Sequence, residues 1–250
     1  MQETMAVMLD ALNNDSARLQ RIGVNLANAL TPGYQRQMLM VAPAQSADTR
    51  FADQVTRGVS ASAVDSELPS RTARVVRDAR PGSLKATGQT WDLAIASRGY
   101  FEVATPQGPA YTRHGQFQLD AGGRLVTAQG WPVMGTEGEV VPGGDVIRID
   151  LAGRLHVGAR RVAQIKVVDI DSTARVQHLD AGYLSTATAP PTLPDSQLAM
   201  RQGFLENSNV SNSQEMIDLM RTMRHFESLS RLIQGYDDMI GGAIRRLGEP

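Results

Sequence analysis

Two apolar series, one at each end of the chain, constrain the fold more than any other feature. At the N-terminal end Met1, Met5, Met8, Leu12, Asp15, Leu19, Ile22, Leu26 and Ala29 follow at spacings that alternate four and three, and eight of the nine are apolar. At the C-terminal end Met216, Leu219, Met223, Phe226, Ser230, Ile233, Asp237, Ile240, Ile244 and Leu247 do the same, with eight of ten apolar. Such spacing belongs to a helix with a narrow apolar seam, as in a coiled coil, rather than the broad stripe of a globular helix. The first helix is predicted over residues 1–30 and stops at Thr31-Pro32-Gly33, because proline restricts its predecessor and glycine tolerates the reversal. The second closes the segment 205–248, with Ser211 or Ser213 as N-cap and a Ser211–Gln214 spacing that resembles a capping box. Gly235, Gly241 and Gly242 weaken it in isolation, so it is expected to lean on a partner. Two arrangements fit these matched seams: a helical hairpin closing a globular domain, or ends that pair with each other or with copies from other subunits.

The middle has another period. From Val75 to Val168 short alternating runs are separated by glycine-rich turns, among them Leu93–Ala96, Tyr100–Ala104, Phe117–Leu119, Arg124–Thr127, Asp145–Asp150 and Ala163–Val168. This is the pattern of strands and hairpins. FQLDAGGRLVT at 117–127 and IRIDLAGRLHV at 147–157 both place an Asp and a Gly before Arg-Leu, which reads as two hairpins using one turn chemistry or as an internal repeat. The polar stretch from 42 to 70 reads as a linker, and Pro190, Pro191 and Pro194 within 185–199 as a returning one. The order is helix, linker, β domain, linker, helix.

Composition excludes several function classes. The 250 residues carry 25 basic and 26 acidic side chains, a net charge of −1, so no global attraction to nucleic acid or anionic membrane follows. The regularly spaced Arg71, Arg74, Arg77 and Arg80 read as a solvated edge. With no cysteine, disulfides and thiolate metal sites are excluded. His114, His156, His178 and His225 lie far apart and form no metal-binding spacing. Neither a phosphate loop nor a Gly-x-Ser-x-Gly element is found, so no catalytic, cofactor or metal residue is assigned. No run approaches the roughly 18 apolar residues of a membrane span. The N-terminus lacks a basic leader region, and Glu3, Asp10 and Asp15 interrupt its apolar residues. No membrane insertion and no cleavable signal peptide are expected.

Three motifs resemble the bacterial flagellar rod and hook family. NLANALTPGYQRQ at 25–37 is similar to its N-terminal signature. LKATGQTWDLAIASRGYFEV at 84–103, followed by YTRHGQFQLDAGGRLVTAQGWPVMG at 111–135, resembles its central core. GFLENSNVSNSQEMIDLMRTMRHFES at 203–228 resembles its C-terminal signature. They stand in the family's order and span the chain. Within the family the Ala-Leu-Thr-Pro-Gly-Tyr turn, the RHFE element at 224–227 and the length lean toward the proximal rod protein, with the distal one next. The resemblance implies an axial structural subunit, not an enzyme and without cofactor, that serves the drive shaft of motility. It would be exported unfolded by the flagellar type III apparatus and assembled in the periplasmic basal body with copies of itself and neighbouring rod proteins.

The expected fold class is therefore α+β: terminal helices over 1–40 and 200–250 pairing as a coiled-coil-like axial domain, an extended linker over 41–74, and an inserted all-β outer domain over 75–199. The expected subunit interface comprises Met5, Met8, Leu12, Leu19, Ile22, Asn25, Leu26, Asn28, Leu219, Met223, Phe226, Ile233 and Ile240. Asn25 and Asn28 have two readings, as helix terminators or as hydrogen-bonding groups toward a neighbouring subunit. The terminal methionines likewise read as core filling or as adaptable contacts to inequivalent partners. The competing function is a secreted binding module, a β domain on a helical stalk.

Overall fold

The computed structural model of the chain describes residues 2–41, 73–143, 147–171, 176–179 and 182–248. It is α+β, with a long helix at each end and strands between them. The chain divides into two compact units, one of Met1–Gly23, Gln37–Val76 and Met216–Pro250, the other of Val24–Arg36 and Arg77–Glu215. The linker expected over 41–74 lies almost entirely outside the described residues.

The first unit holds most of helix α1 (Gln2–Ala27), most of helix α2 (Asn212–Gly248) and the paired strands β1 (Gln37–Val41) and β2 (Ala73–Arg77). On α1 the covered face follows the expected series: Asp15 and Ile22 are buried, and Met5, Met8, Leu12 and Leu19 are half-buried. The charge within that apolar series has a partner, since His225 Nδ1 and Asp15 Oδ2 hydrogen-bond.

On α2 the covered face runs Leu219, Thr222, Phe226, Leu229, Ile233, Tyr236 and Ile240, again at spacings of three and four. It shares Leu219, Phe226, Ile233 and Ile240 with the expected series. Met216, Met223 and Asp237 lie one residue off it and are exposed. Thr222 can take the inward place because its hydroxyl donates to the Asp218 carbonyl at 2.8 Å, which removes the cost of burying it. Met216, Met220 and Met223 therefore form a separate exposed apolar edge.

The second unit is β-rich. Strands from its start pair with strands from its end: β3 (Leu84–Ala86) with β18 (Phe204–Glu206), and β4 (Leu93–Ile95) with β17 (Met200–Gln202), both antiparallel. Its largest sheet has the order β14-β5-β6-β16-β15, comprising Val167–Val168, Tyr100–Thr105, Gly108–Thr112, Leu184–Thr186 and Val176–His178. Successive residues of a strand face opposite sides, and here both sides are covered. Phe101, Val103, Ala110 and Val167 join the main core, whereas Tyr100, Tyr111, Val168 and Leu184 form a smaller one. Phe101 meets Phe117 edge to face with centroids 5.2 Å apart. Burying a ring of this size contributes about 2–3 kcal/mol.

The two similar hairpins share their turn chemistry. In the first, β7 (Gln118–Leu119) and β8 (Leu125–Val126), Asp120 Oδ1 accepts from the Gly122 and Arg124 amides at 2.9 and 2.8 Å. In the second, β11 (Ile147–Ile149) and β12 (Arg154–Val157), Asp150 Oδ1 accepts from the Ala152 and Arg154 amides, both at 2.9 Å. Gly123 and Gly153 take φ of 73° and 72° at the same place in each turn, where other residues are strained.

Two expectations change. Ala163–Val168 is not one strand, since it is divided between β13 (Arg160–Gln164) and β14. The proline segment 185–199 is packed rather than a free linker. Its Leu193 is buried in the main core and donates its amide to the Val167 carbonyl at 2.9 Å. Proline removes donors but not acceptors, and the Pro191 carbonyl accepts from the Asp169 amide at 2.9 Å.

Candidate functional site

The three sequence motifs converge in the second unit on two ion pairs whose carboxylates are buried. The first begins at the end of α1. Asn28 closes the helix by donating its side-chain amide to the Val24 carbonyl at 2.9 Å. The chain then turns through Gly33, whose φ of 68° lies where glycine alone is unstrained. A Cβ at Gly33 would stand 2.3 Å from the Arg113 carbonyl carbon, so two separate constraints require glycine. Its amide donates to the Glu206 carbonyl at 2.8 Å.

Beyond the turn, the Tyr34 hydroxyl donates to Asn25 Oδ1 at 3.1 Å, and Asn25 Nδ2 donates to Glu215 Oε2 at 3.2 Å. Glu215 sits in the first turn of α2, fully buried, and its other oxygen pairs with Arg36 Nε. A carboxylate is favoured near a helix N-terminus. The Arg36 amide donates to Asn209 Oδ1 at 2.6 Å, and Asn209 Nδ2 donates to the Asp78 and Arg80 carbonyls at 3.0 and 2.7 Å. The Asp78 amide returns to the Arg36 carbonyl at 2.9 Å. Arg80 hydrogen-bonds the Asp78 carboxylate and holds it below the usual carboxylate range.

The second pair joins the central motif to the C-terminal one. Arg113 Nε donates to Glu206 Oε2 at 2.6 Å, and both side chains are buried. The guanidinium also donates to the Gly99, Ile95 and Ser97 carbonyls at 2.8, 2.7 and 3.2 Å. Glu206 Oε1 accepts from the Gly82 amide at 2.9 Å. Each nitrogen of this buried cation therefore donates at least one hydrogen bond, as a buried charge requires. Two more glycines, Gly82 just before the central motif and Gly115 within it, tolerate no side chain: a Cβ at Gly82 would lie 1.9 Å from the Asn207 carbonyl oxygen, and one at Gly115 1.6 Å from that of Leu93.

This arrangement fixes backbone segments to one another. Among the described residues no three His, Asp or Glu side chains are placed to hold a metal ion, and no helix is long and apolar enough to cross a membrane.

The interface residues read from the sequence are placed unequally. Asn25 is buried, with its amide bonded to its own chain, and Asn28 is half-buried and caps its own helix. Ile22 is buried. Met5, Met8, Leu12, Leu19, Leu26, Leu219, Phe226, Ile233 and Ile240 are half-buried, and Met223 is 49% exposed. Only Asn25 among them enters the ion-pair network. Glu215, Arg36, Glu206 and Arg113 were not singled out by sequence reasoning, although all four stand in or beside the quoted motifs.

Residues 201–246 match the family profile described as the flagellar basal body rod FlgEFG protein C-terminal. Residues 94–176 match that of the flagellar hook protein FlgE/F/G D1 domain. The chain is 31% identical to the flagellar basal-body rod protein FlgF of Caulobacter vibrioides, over 92% of each chain. It is 32% identical to the FlgF of Escherichia coli over 89% of each. It is 27% identical to the rod protein FlgG of Bacillus subtilis, over 93% of this chain and 94% of the relative.

Proposed function

The chain belongs to the flagellar basal-body rod protein family, and from that premise we propose that it polymerises through its terminal helices into the axial rod. It is a structural subunit of the flagellum, not an enzyme, and it serves motility from the basal body. The observation that carries the polymerisation reading is the apolar surface that the helices leave open. Val7 on α1 and Met216, Met220, Met223, Leu232 and Met239 on α2 are all exposed. Exposed apolar area of this kind marks an interaction surface. Together with the half-buried seam residues Met5, Met8, Leu12, Leu19, Leu26, Leu219, Phe226, Ile233 and Ile240, it would form a coiled-coil-like axial domain, with the β domain outside it. Asn25 would support that interface by holding the end of α1 in shape.

Partners in this reading are further copies of the chain and neighbouring rod proteins. Delivery would be by the flagellar export apparatus without a cleaved leader. Within the rod the proximal position comes first and the distal second, on the Ala-Leu-Thr-Pro-Gly-Tyr turn and the RHFE element. No observation favours a secreted binding module.

The test is assembly. Met223→Asp places a charge on the exposed apolar edge of α2 and Ile233→Asp one on its half-buried seam, and both leave the β unit untouched. Both should fold, keep their near-ultraviolet spectrum and fail to restore swimming to a strain lacking the gene. If both restore swimming and co-purify with basal bodies, the interface lies elsewhere.

A further inference from the structure

Arg77 departs from the solvated edge expected of the arginine run. It is 7% exposed, whereas Arg80 stays at the surface. Its guanidinium lies over the Tyr100 ring, 4.9 Å from the centroid. A ring face attracts the cation but does not satisfy N–H groups that lie in its plane. Among the described residues no carboxylate pairs with Arg77, and its buried Nε and Nη1 have no acceptor.

Gln35, 8% exposed, is in the same condition. Its Oε1 accepts from the Tyr100 hydroxyl at 2.7 Å, and its buried Nε2 is unpaired. Both residues line one small cavity with Tyr34, Tyr100, Arg113 and Leu184. It leaves about 10 Å³ for the centre of a water-sized particle, room for about one. The other cation of the wall, Arg113, is balanced by Glu206 at 2.6 Å. Among the described residues of the lining, one positive charge is therefore uncompensated and three donor nitrogens are unpaired.

We propose that this cavity is a binding site for one small monovalent anion of the chloride class, held by Arg77 and Gln35 beside Tyr100. A water offers two lone pairs but brings two O–H groups of its own that need acceptors. A halide accepts from every donor and cancels the charge, which is what a buried guanidinium requires. The ion ties Arg77 to the Tyr34–Gln35 segment beside the Gly33 turn. This site is independent of assembly and goes beyond the role in the rod.

The test uses the full chain at a concentration where it is monomeric. Urea unfolding is followed while potassium chloride replaces potassium gluconate, a larger anion that does not fit, at constant ionic strength. Chloride should stabilise saturably, raising the folding equilibrium constant about elevenfold at ten times its dissociation constant. Arg77→Met and Gln35→Leu should abolish that dependence. Crystals grown in bromide should show an anomalous peak in the cavity, a readout that needs no variant to fold. A wild-type stability indifferent to the exchange, or a bromide crystal with a non-anomalous water peak there, would overturn the assignment.

Discussion

Glu215 and Arg36 stand 179 residues apart in the sequence and form an ion pair in which the carboxylate is fully buried. The pair binds the residues just after the first helix to the first turn of the last. Replacing the carboxylate by an amide removes its charge and one of the two acceptor oxygens that Arg36 Nε and Asn25 Nδ2 share between them. Arg36 remains partly exposed, so water relieves some of the loss. Glu215→Gln is expected to destabilise the second unit by about 3 kcal/mol, at the low end for a broken buried pair. Trp91 and Trp131, the chain's two tryptophans, both pack on the core of that unit, so urea unfolding followed by their fluorescence measures it. A loss below about 1 kcal/mol, the size of an exposed pair, would contradict the buried role.

The Gly33 turn predicts a graded result. Gly130 has a φ of 81° with open space where a Cβ would stand, so Gly130→Ala meets left-handed strain alone, about 1–2 kcal/mol. Gly33→Ala adds a collision with the Arg113 backbone, and backbone cannot move aside as a flexible side chain can. Its loss of stability should be at least about twice as large. Equal losses in the two variants would mean that the turn can shift away from Arg113.

His114 should make the second unit sensitive to mild acid. Burial penalises its imidazolium and lowers its pKa below the ordinary 6.5. The unfolded chain therefore binds a proton more readily than the folded one. The neutral ring's contribution is present above pH 6.5 and is lost as the pH falls from there through the folded value. His114→Gln removes this site and leaves the other three histidines in place. Between about pH 7 and about pH 5 the variant should lose less stability than the wild type. Parallel pH profiles for the two proteins would exclude His114 as the cause.

In the first unit Asp15 depends on His225. His225→Ala leaves a buried carboxylate without that partner, at a cost of about 1–3 kcal/mol. Amide exchange should quicken around Asp15 on α1 while the β unit keeps its protection. Unchanged protection in α1 would show that Asp15 is satisfied without the histidine.

The parts of this architecture that were legible in the sequence are those that repeat locally. Helix and strand periods come from backbone geometry, so the terminal helices and many of the central strands could be read. The two Asp-turn hairpins could be read because their turn chemistry sits within five residues. Pairings between remote residues leave no such trace. Nothing near Glu215 names Arg36, and nothing near Arg113 names Glu206, although an isolated charge beside apolar residues is itself a signal that a partner exists. Asp15 gave the same signal, as the one charge in an apolar series. Hydrophobicity placed Met223 on the covered face of α2 because it could not register that Thr222 satisfies its own hydroxyl within the helix. Arg77 looked like its neighbours in the run because spacing is blind to burial.

The pairing of β3 with β18 sets how the β unit meets mechanical load. Leu84 lies opposite Glu206 and Ala86 opposite Phe204, so the chain enters and leaves side by side. Tension that draws these two ends apart reaches the ladder bonds one after another, as in a zipper. The first rung it meets is flanked by the Glu206 carboxylate, which Arg113 and the Gly82 amide already grip. In a shaft under torque, that grip would serve as the bar tack at the end of the zip.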